Sequence, residues 1–227
     1  MDKLNVKFNI SEQTYLRDPD STELGRKIIF HGIQLIDELG FENFTFKKLG
    51  ACIGSPESSV YRYFENKHMF LVYLYCWYWS WIEYKLLFSI INIGSSEEQL
   101  RKAIHYLTAV IEEDHNFSHV DEVKLDRIVM NEGSKTYHIK EIDQENKKGY
   151  FQVYKRVVQR VSEIILTINP DFEFSHMLVS TIIEGSRQQR FFSQHLPSLT
   201  DVDKDKDSIS EFYEQMAFRV IKTETKN

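Results

Sequence analysis

Apolar residues along this chain recur at three- and four-residue intervals and period-two alternation is rare, so the pattern predicts helices throughout. Pro19, Pro56, Pro170 and Pro197 divide it into long proline-free runs, and no Asn-Gly or Asp-Gly hairpin signal occurs. After a polar lead-in over 1–20, Ser21 or Thr22 can cap a helix in which Leu24, Ile28, Gly32, Leu35 and Leu39 recur at helical spacing. Gly40 closes that helix. Thr45 can cap a second, short helix over 46–53, and Gly54 then turns the chain. Ser55 reads as the next N-cap, with Pro56 at the first helical position and Glu57 in the first turn, so a third short helix is expected through Val60 to about 64. Lys67 opens a long helix to about 91. Further helices are expected over about 95–114, 120–132, 141–168, 174–194 and 206–222.

Composition narrows the class. With 227 residues, 42% of them hydrophobic, the chain can bury a proper core, and its 9 glycines and 4 prolines are too few for a disordered or fibrous protein. Cys52 and Cys76, without a CxxC or a Cys/His framework, argue against a disulfide-knit module or a zinc finger, and their thiols are expected to be reduced. The opening residues lack the apolar core of a signal peptide, and the longest apolar stretch, 69–82, is too short to span a bilayer. The expectation is a cytoplasmic protein without a membrane partner.

The formal net charge is −6, which disfavours gripping nucleic acid along the whole surface. Residues 1–67 hold nine basic and ten acidic side chains, a net of −1, which leaves −5 for the remainder. Any polyanion contact therefore falls to a small patch on the first third, and a compact reader of duplex DNA needs only several phosphate contacts.

That patch is Thr45 to Lys67, TFKKLGACIGSPESSVYRYFENK. Two short helices joined by a glycine turn make a helix-turn-helix when a third supports them. Phe46, Leu49, Ile53, Val60 and Phe64 can face inward against Leu24, Ile28, Leu35 and Phe44. Glu57, Ser58, Ser59, Tyr61, Arg62 and Tyr63 are left on or near the outer face of the third helix, with Lys47 and Lys48 on the outer side of the second. Hydroxyls and helix N-termini bond phosphate oxygens and set register, so Thr45, Tyr61, Tyr63 and Lys67 can clamp backbone on either side of a groove. Arg62 can read a guanine edge, while Ser58 and Ser59 can take base or phosphate contacts. Tyr63 has a second reading as packed core with a wet hydroxyl.

Phe44-Thr45-Phe46, Leu49, Gly54 and above all Ser59-Val60-Tyr61-Arg62-Tyr63-Phe64-Glu65-Asn66-Lys67 resemble the DNA-binding domain of the TetR/AcrR family of transcription regulators. That signature runs T-hydrophobic-Y-x-[HY]-F-x-x-K after a G-V-S turn, and the likeness covers about residues 22–74. Ser55-Pro56 departs from it, since the family has a small apolar residue and then a capping serine there. The resemblance implies an all-α protein: an extension over 1–20, a three-helix DNA-binding domain over 21–66, and a helical effector-binding and dimerising domain over 67–227. It implies a homodimeric regulator, in particular a repressor, acting on a pseudo-palindromic duplex operator and answering to a small-molecule effector.

Over the long helix, Tyr73, Trp77, Trp81, Tyr84 and Phe88 form a stripe at helical spacing, either one wall of an effector pocket or ordinary core. In the last two helices, Met177, Ile182, Gly185, Phe212, Met216 and Val220 place small and apolar residues together, either as a two-fold four-helix interface or as the end of a monomer core. His115 and His119 near Glu112 have the spacing of a metal pair, but Asn116 between them reads as a polar loop, and no metal or cofactor is expected. The glycosylation sequons at Asn9, Asn43 and Asn116 have no meaning in a cytoplasmic chain. No GxGxxG, GxxxxGK[ST], GxSxG or HExxH occurs, so no enzymatic activity is expected. The rival reading is an all-helical ligand- or lipid-binding protein or enzyme whose short helices only mimic the DNA motif.

Overall fold

The computed structural model describes residues 8, 10–112, 119–202 and 208–222. Its helices are α1 (Glu23–Leu39), α2 (Phe46–Cys52), α3 (Glu57–Tyr61), α4 (Lys67–Ile90), α5 (Ser96–Thr108), α6 (Glu122–Glu132), α7 (Ile142–Lys147), α8 (Gln152–Ile168), α9 (Ser175–His195) and α10 (Ser208–Ile221). No strand occurs among the described residues, and the all-α expectation holds. Side chains start the helices where the pattern placed them. Thr22 accepts from the Gly25 amide at 2.9 Å, Thr45 from Lys48 at 3.2 Å and Asp121 from Lys124 at 2.9 Å.

Four boundaries differ from expectation. Ser55 does not cap α3: its amide bonds the Gly50 carbonyl at 2.9 Å, so it belongs to the turn, and extended Pro56 stands at the N-cap without a side-chain bond. That helix closes at Tyr61 rather than near 64, because the amides of Tyr63 and Phe64 both turn back to the Val60 carbonyl (2.9 and 3.1 Å). The helix expected over 141–168 is two, α7 and α8, parted at Gly149, whose φ of +83° lies in the left-handed region. The helix expected to reach 114 ends at Thr108, whose hydroxyl bonds the Ile104 carbonyl at 2.8 Å and Ser210 Oγ at 2.7 Å.

The chain forms two compact units, Met1–Trp81 with Ile111–Val153, and Ile82–Val110 with Tyr154–Asn227. In the first, α1–α3 form a head around Ile28, Ile33, Phe44, Leu49, Val60 and Phe64, each 0% exposed. This unit does not stop at residue 66. Arg127 on α6 makes a bidentate pair with Asp37 on α1 (2.9 and 2.7 Å), which holds its guanidinium pKa above the ordinary value. The Phe41 amide donates to Glu132 Oε1 at 3.1 Å, and Lys124 donates to Gln34. The supposedly polar lead-in is also seated: Ile10 and Thr14 are buried, Tyr15 lies edge-on to Tyr73 with centroids 6.0 Å apart, and the Leu16 amide donates to the Tyr63 carbonyl at 2.8 Å. Its apolar residues are too few and too irregularly spaced to show a period.

The second unit packs Leu100 and Ile104 of α5 against Val157, Val161 and Ile165 of α8, Val179 and Ile183 of α9, and Tyr213 and Ala217 of α10, all buried. Arg156 grips Glu83 bidentately at 2.9 and 2.8 Å. Among the described residues no helix is long and apolar enough to cross a membrane.

The two cysteines have opposite environments. Cys52 is exposed, whereas Cys76 is buried, donates to the Tyr150 carbonyl at 3.0 Å, and has its thiol pushed up to about 12 by desolvation. A thiol reagent at neutral pH is therefore expected to titrate Cys52 in the native protein, and both cysteines only after denaturation. Prompt native labelling of Cys76 would contradict its burial.

Candidate nucleic-acid interface

The head presents one polar face, and its construction is local. Gly54, at φ +66° with nothing within 4 Å of where a Cβ would stand, lets the chain reverse between α2 and α3. Phe46, Val60 and Phe64 turn inward and lock the two helices together. Their burial leaves Thr45, Lys47 and Lys48 of the α2 end, and Ser58, Tyr61 and Arg62 of the α3 end, exposed, with Glu57 half-buried. Tyr61 is 47% exposed, and its ring stands edge-on to Phe46 with centroids 5.0 Å apart, which holds the hydroxyl outward from an apolar base. Arg62 donates to Ser59 Oγ at 3.3 Å, so the guanidinium is steadied from beneath. Lys48 Nζ donates to the Asn43 carbonyl at 2.8 Å.

Three residues expected on this face do other work. Tyr63 is 1% exposed and its hydroxyl bonds Thr22 Oγ1 at 2.7 Å, so it ties the end of α3 to the start of α1 and cannot contact phosphate there. The Arg17 guanidinium sits over its ring, 5.5 Å from the centroid. Ser59 is 6% exposed and serves as the acceptor for Arg62 rather than as a contact of its own. Lys67 bonds the carbonyls of Phe41 and Glu42, both at 3.2 Å, with its ammonium 4.8 Å from the Phe41 ring; it pins the connector between α1 and α2. Two of its three N–H donors are thereby committed.

The aromatic stripe of α4 is divided between the two units. Tyr73, Trp77 and Trp81 are almost fully buried in the first, where Tyr73 packs on Phe64 with centroids 5.3 Å apart and Trp77 on Phe8 at 5.2 Å. Tyr84 and Phe88 belong to the second, their rings 4.7 Å apart, and Phe88 is 66% exposed. Of the residues expected at a subunit interface, Ile182 is buried inside its own unit and Gly185 lies beneath the Tyr213 hydroxyl of α10, while Met216 is half-buried. Met177, Phe212 and Val220 keep their side chains on the surface at 65%, 57% and 41% exposure.

His119 Nε2 lies 2.9 Å from Asp20 Oδ1, beside the lead-in, while His115 and Asn116 lie outside the described residues, as does Asn9. Among the described residues no group of three or more His, Cys, Asp or Glu side chains is placed to hold a metal ion.

The head and its face define a helix-turn-helix on an all-helical chain, and solved structures share the architecture. The chain is similar to AibR, whose crystal structure is of a complex with isovaleryl coenzyme A and operator DNA: the TM-score is 0.58 at 13% identity, over 84% of this chain and 97% of that one. It is also similar to the superantigen PfiT, with a TM-score of 0.59 at 14% identity, over 92% of this chain and 100% of that one. Identities this low show a common fold and nothing further. No protein family model matches the sequence, and no curated protein does.

Proposed function

We propose that this protein is a sequence-specific, duplex-DNA-binding transcription regulator of the cytoplasm, acting as a homodimer on a pseudo-palindromic operator and, in the simplest case, repressing until a small effector binds. The observation that carries the reading is the exposed trio Ser58, Tyr61 and Arg62 on α3, backed by wholly buried Val60 and Phe64. A short helix with small or hydroxyl-bearing residues at its start approaches a major groove closely, and one guanidinium suffices for a bidentate guanine contact. Thr45, Lys47 and Lys48 supply backbone contacts at the N-terminus of α2. The complex formed by AibR with operator DNA and an acyl-coenzyme A supports both kinds of partner. Exposed Phe174 and Met177 at the start of α9, with exposed Phe212 and Val220 on α10, support the dimer, because exposed apolar side chains of this size favour burial against a partner.

Selection of duplexes from a random pool, followed by anisotropy titration across salt, tests this. Affinity is expected to fall with salt by about 0.9 log units per phosphate contact per tenfold rise. Arg62→Ala is expected to cost about 1–3 kcal/mol and to relax preference at one operator position. Salt-independent affinity, or an Arg62→Ala chain that binds every duplex as tightly as the natural one, would overturn the reading.

A further inference from the structure

A cleft of about 490 Å³ opens beside the first turn of α4, within the first unit, and none of the side chains assigned above to DNA or to an interface lines it. Its walls are strongly polarised. Glu65, Glu141 and Glu145 line it together with one ammonium, that of Lys148. Glu145 is the centre of the arrangement. The residue is 8% exposed, and its Oε1 meets His68 Nε2 at 2.9 Å. Its second oxygen, Oε2, is buried with no hydrogen-bond partner. A buried carboxylate oxygen without a donor is unfavourable, and a ligand N–H that reaches it removes the penalty. Apolar surface lies beside the charge, from Met69 and from Tyr150, 8% and 4% exposed. The Tyr150 phenol is already committed to the Gln13 carbonyl at 3.2 Å.

We infer that this cleft binds a small organic amine in its protonated form. The ammonium takes Glu145, with Glu141 and Glu65 adding to the negative field, and the hydrocarbon part rests on Met69 and Tyr150. An anion is disfavoured by the three carboxylates, and a neutral polar ligand would leave their field unanswered. The consequence for regulation rests on the function proposed above. His68 and Met69 form the first turn of α4, capped by Asn66 Oδ1 on the Met69 amide at 2.9 Å, directly after the segment that carries Tyr61 and Arg62. An amine on Glu145 Oε2 shares the carboxylate whose Oε1 meets His68, and so alters the tie between α4 and α7 and biases how the recognition segment is held.

Calorimetric titration of the full chain with benzylamine, and with benzyl alcohol as its uncharged counterpart, tests the site without DNA present. Benzylamine is expected to bind at one site per chain, benzyl alcohol at least about tenfold more weakly. Glu145→Gln is expected to lose about tenfold or more for benzylamine, and the exposed Glu141→Gln a smaller factor at an unchanged melting temperature. Should Glu145→Gln fail to fold, the amine-against-alcohol comparison and Glu141→Gln decide. No binding of benzylamine, equal binding of the alcohol, or unchanged binding by both variants would overturn the site. A chain that binds benzylamine but no duplex overturns the regulator reading and leaves the site standing; one that binds duplex but no benzylamine does the opposite.

Discussion

Truncation of Phe70 to alanine is expected to lower the unfolding free energy by about 3–5 kcal/mol, one of the largest single-site losses in the molecule. Phe70 is fully buried, and the rings of Phe64, Phe44 and Phe46 surround it with centroids at 4.9, 5.5 and 6.4 Å. It is the first long apolar residue of α4 to enter the head, so it joins α1, α2 and the end of α3 at one point. On α1, Gly32 lies against this ring so closely that a Cβ there would stand 2.3 Å from Phe70 Cζ. Gly32→Ala in the natural chain is therefore expected to destabilise by about 1–3 kcal/mol through overpacking. In the Phe70→Ala background the same change should reverse sign, because the methyl then has room and alanine favours a helix over glycine by about 1 kcal/mol. Urea unfolding of the two single variants and the double variant measures this. An equal cost for Gly32→Ala in both backgrounds would show that the two residues do not touch.

Phe212→Asp is expected to convert the proposed dimer to a monomer without disturbing the fold of either unit. Phe212 is 57% exposed on α10 in the single chain, so a carboxylate there remains solvated in the monomer and the melting temperature should barely move. At a two-fold interface the substitution buries two unpaired charges, each at a cost of several kcal/mol, enough to weaken association by about a thousandfold or more. Duplex affinity should fall with it by at least about a hundredfold, because one recognition helix then meets only one half-site. Light scattering after size exclusion checks the first outcome and anisotropy the second. A variant that still elutes as a dimer would remove this face of α10 from the interface. A monomer that keeps full affinity would remove the two-fold operator.

The two experiments probe different kinds of legibility. The head was readable because its signals are local: Thr22 and Thr45 cap as placed, Gly54 turns the chain, and Phe46, Leu49, Val60 and Phe64 are buried at the positions their spacing implies. The outer face came with them, since an inward Val60 and Phe64 leave Ser58, Tyr61 and Arg62 no other side. Tyr63 was ambiguous for a physical reason. Its ring and hydroxyl suit a phosphate or a core equally, and only the arrival of Thr22, 41 residues earlier, settles which one the hydroxyl meets. Helical spacing places the five aromatics of α4 on one side without saying which neighbours cover each stretch, so it leaves pocket wall and core as equal readings.

Sequence alone settled the helical class, the Thr22 and Thr45 caps and the Gly54 turn of the head, and the outward placing of Ser58, Tyr61 and Arg62, because each of these depends on neighbours within about one or two helical turns. Tertiary structure decided what contacts of long separation decide: Asp37 held by Arg127, Lys67 folded onto the 41–42 connector, the lead-in seated on Tyr73, and Glu145 brought beside His68. Charged and hydroxyl side chains have several possible partners of equal chemistry along a chain. Packing brings one of them within reach, and no local pattern records which.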